Sequence, residues 1–241
     1  METMRKPFQG VWNIIRFNWH LYAIALGLML VMWLLHWYLP AALLLISMAV
    51  TLTVSLFIYD LSGIYALAWI EPGAARTVVN IHSGFDETSA ELKRKFPGAQ
   101  LLVFDFYDPA KHTEVSVKRA RRAYPSFAGT KQIVADAIPV EEGGVDRIFV
   151  TFSAHEIRNN EERASFFKQL NRIMSPTGCI QVTEHLRDLP NFMAYNIGAF
   201  HFLSRKSWLS VFAAAGLGIR YEKKLNPFIT TFILDKHDHS S

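Results

Sequence analysis

The chain has 241 residues, 51% of them hydrophobic and 19% charged, with a formal charge of +4. That is one domain of ordinary size plus an extra element, which excludes a disordered chain or a multidomain array, and the charge is too mild to argue for a nucleic-acid partner. A lone cysteine, Cys179, excludes an intrachain disulfide and any chemistry built on clustered thiolates.

The apolar residues are unevenly spread. From Leu21 to Tyr59 there are 39 consecutive residues without Asp, Glu, Lys or Arg. A bilayer core of about 30 Å needs roughly 20 helical residues, so the run suffices for two spans and exceeds one. Pro40 divides it. Leu21 to Leu39 ends in Trp33, His36, Trp37 and Tyr38, aromatics that favour the headgroup region, and Ala41 to Tyr59 follows almost without a loop. This predicts a transmembrane helical hairpin that returns the chain to the side it left, in contact with membrane lipids. Arg5, Lys6 and Arg16 precede it and its tip carries no positive charge. The positive-inside rule therefore places the protein in the cytoplasmic (inner) membrane, with both termini in the cytoplasm. The expected organisation is an N-terminal segment 1–20, the hairpin 21–60, a linker 61–76 and a domain 77–241. A buried helical pair, or a hairpin that enters one leaflet only, is the alternative. Ser47, Thr51, Thr53 and Ser55 serve helix packing or bond back to their own helix.

From Thr77 onward, short β-branched or aromatic runs alternate with amphipathic stretches, the pattern of an α/β, mostly parallel sheet with helices on both faces. Strands are expected at Thr77 to His82, Gln100 to Phe104, Gln132 to Ala135, Val145 to Phe152 and Cys179 to Glu184. Helices are expected at Glu87 to Lys95, Thr113 to Arg122, Glu161 to Met174 and Ser207 to Ala215, the last capped by Ser204 and stopped at Gly216. Gly218 to Lys223 and Phe228 to Leu234 form a C-terminal antiparallel hairpin around Asn226-Pro227. In such a sheet ligands bind beyond the C-terminal ends of the strands.

The text at those ends is specific. It includes Asn80-Ile-His-Ser-Gly-Phe-Asp86, Phe104-Asp-Phe-Tyr-Asp108, Val134-Ala-Asp-Ala137, Val145 to Arg158, Leu170-Asn-Arg-Ile-Met-Ser-Pro-Thr-Gly178 and Ile180-Gln-Val-Thr-Glu-His185. Over roughly Thr77 to Leu234 the chain resembles class I S-adenosylmethionine-dependent methyltransferases, particularly the group that includes the ubiquinone/menaquinone methyltransferases. The resemblance implies a Rossmann-like sheet and S-adenosylmethionine as cofactor. It also implies a cofactor site from Asn80, His82, Gly84 and Asp86 after the first strand, Asp105 for the ribose hydroxyls, Asp136 with Ala137 facing the adenine, and Ser153 after the fourth strand. Where the family carries an acidic residue and three glycines in its first turn, this chain has Asn80, His82, Gly84 and Asp86, so only one glycine remains.

Methyl transfer is an in-line displacement, so the protein's task is positioning, with a base where the acceptor starts protonated. His155 directly follows the fourth strand and is the expected general base. Glu184 and His185, after the fifth, are expected as a second polar wall. Tyr195, Asn196 and His201 punctuate the apolar stretch Asn191 to Leu203, which suits either a lid or wall around a lipophilic small-molecule acceptor or helix packing against the sheet or the membrane. Metal binding is not expected, since no His/Asp/Glu pair has ligand spacing and His237 and His239 lie in a polar tail. The basic run Lys118-Arg-Ala-Arg-Arg122 suits anionic headgroups or a solvated helix face. The reading is a membrane-anchored carbon or oxygen methyltransferase for a quinone-, lipid- or aryl-polyene-like acceptor. Its rivals are a non-catalytic scaffold of a membrane complex and a methyltransferase of membrane-protein side chains.

Overall fold

A computed structural model describes residues 5–71, 73–112 and 114–236. Thr113, His237 and His239 therefore lie outside the described residues. Seven strands form one sheet: β1 (Thr77–His82), β2 (Gln100–Asp105), β3 (Lys131–Gln132), β4 (Val145–Thr151), β5 (Met174–His185), β6 (Leu217–Asn226) and β7 (Ile229–Lys236), in the order β3-β2-β1-β4-β5-β7-β6. The first five run parallel, and β7 slots antiparallel between β5 and β6. The central strands read as apolar runs because both faces are covered.

The helices that cover the sheet are α4 (Ser89–Lys95), α5 (Val115–Ala123), α6 (Asn160–Ile173) and α8 (Arg205–Ala214). Asn159 caps α6 by accepting the amides of Glu161 and Glu162, and Ser204 caps α8 by accepting the amide of Ser207. Phe166, Phe167, Leu170 and Ile173 line the buried face of α6 and pack with Trp208 and Phe212 of α8. Each such side chain contributes about 1.5–3 kcal/mol of burial. Several expected boundaries shift, and those of β3 and β5 shift for a visible reason. β3 shrinks to two residues, because the chain turns at once into a bridge between Val134 and Ala137. β5 begins at Met174 rather than Cys179, taking in Ser-Pro-Thr-Gly through an irregularity in its pairing with β4, where a Cβ on Gly178 would stand 2.9 Å from the Val145 carbonyl oxygen.

The N-terminal region holds α1 (Gln9–Phe17), α2 (Trp19–Leu34) and α3 (Tyr38–Leu56). The segment before the apolar run thus contains a helix, amphipathic α1, which buries Gly10, Asn13 and Phe17. Its first amides, those of Gly10 and Val11, donate to the Asp60 carboxylate at 2.7 and 2.8 Å. The hairpin turn falls at residues 35–37, and Pro40 sits inside the first turn of α3, where its missing N–H costs nothing. α2 buries no residue, and both helices are apolar all round. Among the described residues, only the helical stretch Tyr38–Ala66 is by itself long and apolar enough to cross a membrane. The pair α1 and α2, bent by 71°, would count as the other.

Candidate active site

The turn after β1 is fastened from within. The Asn80 amide donates to Thr88 Oγ1 at 2.9 Å and Ser89 Oγ at 2.8 Å, while Asp86 Oδ1 accepts the Thr88 and Ser89 amides at 2.9 and 3.0 Å. Gly84 has φ +96°, where a side chain would be strained, and a Cβ there would stand 2.8 Å from Arg121 Cδ. His82 Nδ1 accepts the Gly84 amide at 3.1 Å, which puts the ring proton on Nε2. Burial lowers the His82 pKa, only partly offset by Asp86 and Asp105, so the ring is neutral. Three buried atoms at this turn have no partner among the described residues: Asn80 Oδ1, His82 Nε2 and Asp86 Oδ2. Two are acceptors and one is a donor.

Asp105 ends β2 and is 2% exposed. One of its oxygens accepts the Tyr107 amide at 2.9 Å and the other is paired with Arg121, whose guanidinium lies 4.5 Å from the Tyr107 ring centre. Arg121 is thus no part of a solvated face. Its neighbour Arg119 donates to the Phe17 carbonyl at 2.6 Å and so joins α5 to the end of α1. Beyond Asp105 opens a cleft of about 530 Å³, lined among others by Tyr107, Arg121, Ile133, Val134 and Ala135. Asp136 and Ala137, expected to face the adenine, are exposed just outside this lining, because β3 ends at Gln132, three residues before the expected Ala135.

The second half of the site is a ladder of carboxylates and imidazoles. Phe152 adopts a left-handed backbone (φ 49°) at the end of β4, an unfavourable conformation for a bulky residue. It turns the chain sharply into a short 3-10 segment, Ala154–Glu156. There His155 Nδ1 lies 2.7 Å from Glu184 Oε2 and Nε2 lies 3.2 Å from Glu156 Oε1. Glu184, wholly buried at the end of β5, also accepts the Ser153 amide at 3.1 Å, while Ser153 Oγ donates to the Ile81 carbonyl at the end of β1. His201 continues the ladder, with Nε2 3.5 Å from Glu156 and Nδ1 3.4 Å from Glu114. Arg158 closes it, contacting both ring nitrogens of His201 and donating to its carbonyl at 2.6 Å.

The charges follow from these contacts. Burial alone would discharge His155, but the Glu184 charge and the hydrogen bonds to Glu156 and Glu184 outweigh it and push the ring up to about 10. Burial opposes the charge of Glu156 as well, yet hydrogen bonds from His155 and His201 hold its carboxyl well below the usual range. His201 is raised against its own burial by Glu114 and Glu156. His155 is therefore an imidazolium at neutral pH, and a ring that already carries its second proton cannot accept another. This is at odds with the general-base role expected for it. His185 behaves oppositely. Burial takes it down to about 4, and its Nδ1 meets Asn191 Oδ1 at 3.0 Å and its Nε2 the Tyr59 hydroxyl at 2.9 Å. It faces away from the ladder, into an aromatic cluster with Tyr59, Tyr195 and Phe202, because neighbours on one strand point to opposite faces.

Residues 189–201 form α7 (Leu189–Tyr195) and a 3-10 segment, Asn196–His201. Of the three residues expected to meet the acceptor, only His201 joins the ladder. The Asn196 amide donates to Ser47 Oγ at 2.8 Å, and half-buried Tyr195 packs on Tyr59 and His185 in the seam with α3. Sequence reasoning missed Arg121, Tyr107, Glu114 and Arg158. The basic run around Arg121 was visible, but which of its four cations turns inward depends on where α5 lies. One ligand atom each from His155, Glu156 and His201 lie within 4.8 Å of one another, a grouping that chain spacing hides. Arg158 already sets a fixed cation against it.

No family model matches the sequence, and no curated protein matches it. Solved structures do match the fold. Mitomycin 7-O-methyltransferase aligns at 15% identity and a TM-score of 0.56, over 97% of this chain and 74% of that one. Human N-acetylserotonin methyltransferase, solved in complex with S-adenosylmethionine, aligns at 14% and 0.54, over 79% of this chain and 56% of that one. A putative methyltransferase from Haloferax volcanii, in complex with the Trm112 activator, aligns at 14% and 0.53, over 72% and 88%. The chain has the Rossmann-like fold of the class I S-adenosylmethionine-dependent methyltransferases. At these identities the likeness is one of fold, and it does not single out the quinone-methylating group.

Proposed function

We propose that the protein is an S-adenosylmethionine-dependent methyltransferase, held at the cytoplasmic membrane face by its α2–α3 hairpin, that methylates an oxygen or an activated carbon of a lipophilic, phenol-like acceptor. The observation that carries this reading is the juxtaposition, across the ends of β1, β2, β4 and β5, of a half-satisfied polar cradle and a buried imidazolium ladder. The cradle suits the cofactor's amino-acid end. Asn80 Oδ1 and Asp86 Oδ2 are unpartnered acceptors for an ammonium, and His82 Nε2–H is an unpartnered donor for a carboxylate. Asp105 can accept two vicinal hydroxyls once Arg121 swings aside. When bound, the cofactor supplies an electrophilic methyl group.

The chain's own residues then handle the acceptor. A hydroxyl that docks on His155 Nε2 replaces Glu156 there. Because the low pKa of Glu156 rests first on His155, displacing that contact makes the carboxylate a better proton acceptor, and His201 shares the proton it takes. The oxyanion is left against the His155 imidazolium, which Glu184 fixes from behind, a charge-assisted contact in a dry site. The half-exposed Glu114 beyond His201 leads the proton to solvent. A hairpin without a charged side chain gains nothing for a water-soluble acceptor, and as the proposed anchor it would hold the pocket where lipids and isoprenoid rings present their polar ends.

Titration calorimetry of the detergent-purified chain with S-adenosylmethionine and S-adenosylhomocysteine tests the reading. Micromolar binding that Asp105→Ala removes is the expected result, followed by label transfer into an organic extract of membranes. Label in protein instead would point to side-chain methylation. The pairing of Arg121 with Asp105 favours a second reading, a scaffold whose cofactor site is closed. Absence of binding in both the native chain and Arg121→Ala would establish that reading.

A further inference from the structure

We infer that the outer face of α7 and the 3-10 segment after it is a second membrane contact, immersed in the leaflet on the domain's side and forming the wall past which a lipophilic acceptor enters. This rests on the hairpin reading above and adds a place and a direction to it. Leu189, Phe192, Met193, Ile197 and Phe200 recur at helical spacing and are all exposed, Ile197 at 83%. The opposite face is buried and polar, for Asn191 binds His185 and the Phe228 carbonyl, and His201 belongs to the ladder. One short element thus has an apolar outside and the reaction cluster on its inside. Arg187 precedes the apolar face and Lys206 follows it, both exposed, as suits flanking anionic headgroups.

The occupant follows from the way the element is tied. Thr51 Oγ1 donates to the Ala194 carbonyl at 2.7 Å, and Asn196 donates to Ser47 Oγ at 2.8 Å, so the segment is clasped to the flank of α3. Ser47 stands nine residues past Tyr38, or about 14 Å along the helix. Only that much of the hairpin clears the domain on this side. A hydrocarbon core of about 30 Å cannot be crossed by about 14 Å of helix, so a crossing hairpin must draw the α7 flank into the near leaflet. A hairpin that stops in one leaflet still brings the flank to the headgroup boundary. At either depth the five apolar side chains meet lipid.

The test uses the full chain in vesicles of zwitterionic and anionic phospholipid. Cys179 is buried, so single exposed cysteines label selectively. An environment-sensitive fluorophore is placed at Ile197→Cys, at Leu45→Cys in the hairpin and at Lys93→Cys on α4, and each is read against lipid carrying a nitroxide near the headgroup. The expected result is a loss of about half the emission at positions 197 and 45 and none at 93, since interfacial segments sink about 5–10 Å. Quenching at 45 without quenching at 197 overturns the inference and leaves the anchor standing. Quenching at neither overturns the anchor as well. A blue-shifted, unquenched signal at 197 in a chain that sediments as a dimer assigns the face to a second copy and also overturns it.

Discussion

The guanidinium of Arg121 is paired with the Asp105 carboxylate and stacked on Tyr107, so the side chain best placed to hold a ribose is held by a cation of the protein itself. Only the Arg121 end of the pair reaches solvent, Asp105 being buried, and releasing it costs about 1 kcal/mol, roughly fivefold in affinity. Arg121→Ala is therefore expected to bind S-adenosylhomocysteine about fivefold more tightly than the native chain. It should also be less stable by about 1–3 kcal/mol, because Asp105 keeps its burial and loses its charged partner. Calorimetry and denaturant titration check the two effects separately. Weaker binding would mean that the guanidinium contacts the cofactor.

Gly10 offers a test of how the first helix docks. A Cβ at this position would stand 2.4 Å from Tyr59 Cβ, a contact that flexible side chains cannot relieve. Gly10→Ala is expected to cost about 1–3 kcal/mol through overpacking, and to loosen α1 from Asp60 and Tyr59. Faster limited proteolysis between α1 and α2, with the sheet domain resistant, is the readout. Asp60→Asn keeps one acceptor for the Gly10 and Val11 amides and should show a milder form of the same change, about 1 kcal/mol.

The sheet was largely legible because its signals are local. β1 matches the expected range, Ser204 caps α8 as foreseen, and Asn226-Pro227 turns the last hairpin. The lapses have physical causes. β3 has two paired residues, fewer than any strand pattern resolves. The pattern around α7 leaves a lid and helix packing open, since Leu189 to Tyr195 shows apolar residues on its outside as well. In the site, single positions such as Asp105, His155 and Glu184 stood out as polar residues at strand ends. What they touch did not, because Arg121, His201 and Glu114 reach them from helices and loops far along the chain. The charge on His155 comes from Glu184, far along the chain, and from Glu156 beside it, and it is at odds with a proton-accepting role drawn from the ordinary pKa of the ring.

That charge makes stability depend on pH in a defined window. The folded pKa of His155, about 10, lies above the unfolded value of 6.5, so its contribution is fully present below about pH 6.5 and fades as pH rises toward 10. Glu156 works the other way, because its folded value is depressed. Its contribution is present above the ordinary carboxylate range and fades as pH falls through and below it. The ladder should stabilise the fold most between about pH 5 and 6.5. Thermal unfolding of the native chain and of His155→Gln, run from pH 5 to 10, should give melting temperatures that differ most near pH 6 and converge toward pH 10. A gap that widens as pH rises would mean that the folded ring is neutral.

The same ladder separates positioning from catalysis. In the proposed reaction Glu184 reaches the acceptor only through His155, whereas His155 touches it, so the two substitutions should differ in kind. His155→Ala is expected to leave cofactor binding unchanged and to lower turnover by about 10²–10⁴-fold, the usual worth of a group acting on the transferred proton or its oxyanion. Glu184→Gln keeps a hydrogen bond to Nδ1 but removes the charge that sustains the imidazolium, and His155 then falls toward its ordinary range. Its turnover should be reduced less at low pH than at high pH, since the ring is protonated only below its lowered pKa. The comparison needs a membrane-extract acceptor and rates across pH 6 to 9. A uniform loss across that range would make Glu184 a structural brace for the Ser153 turn, and an unchanged rate in His155→Ala would remove the ladder from the chemistry altogether.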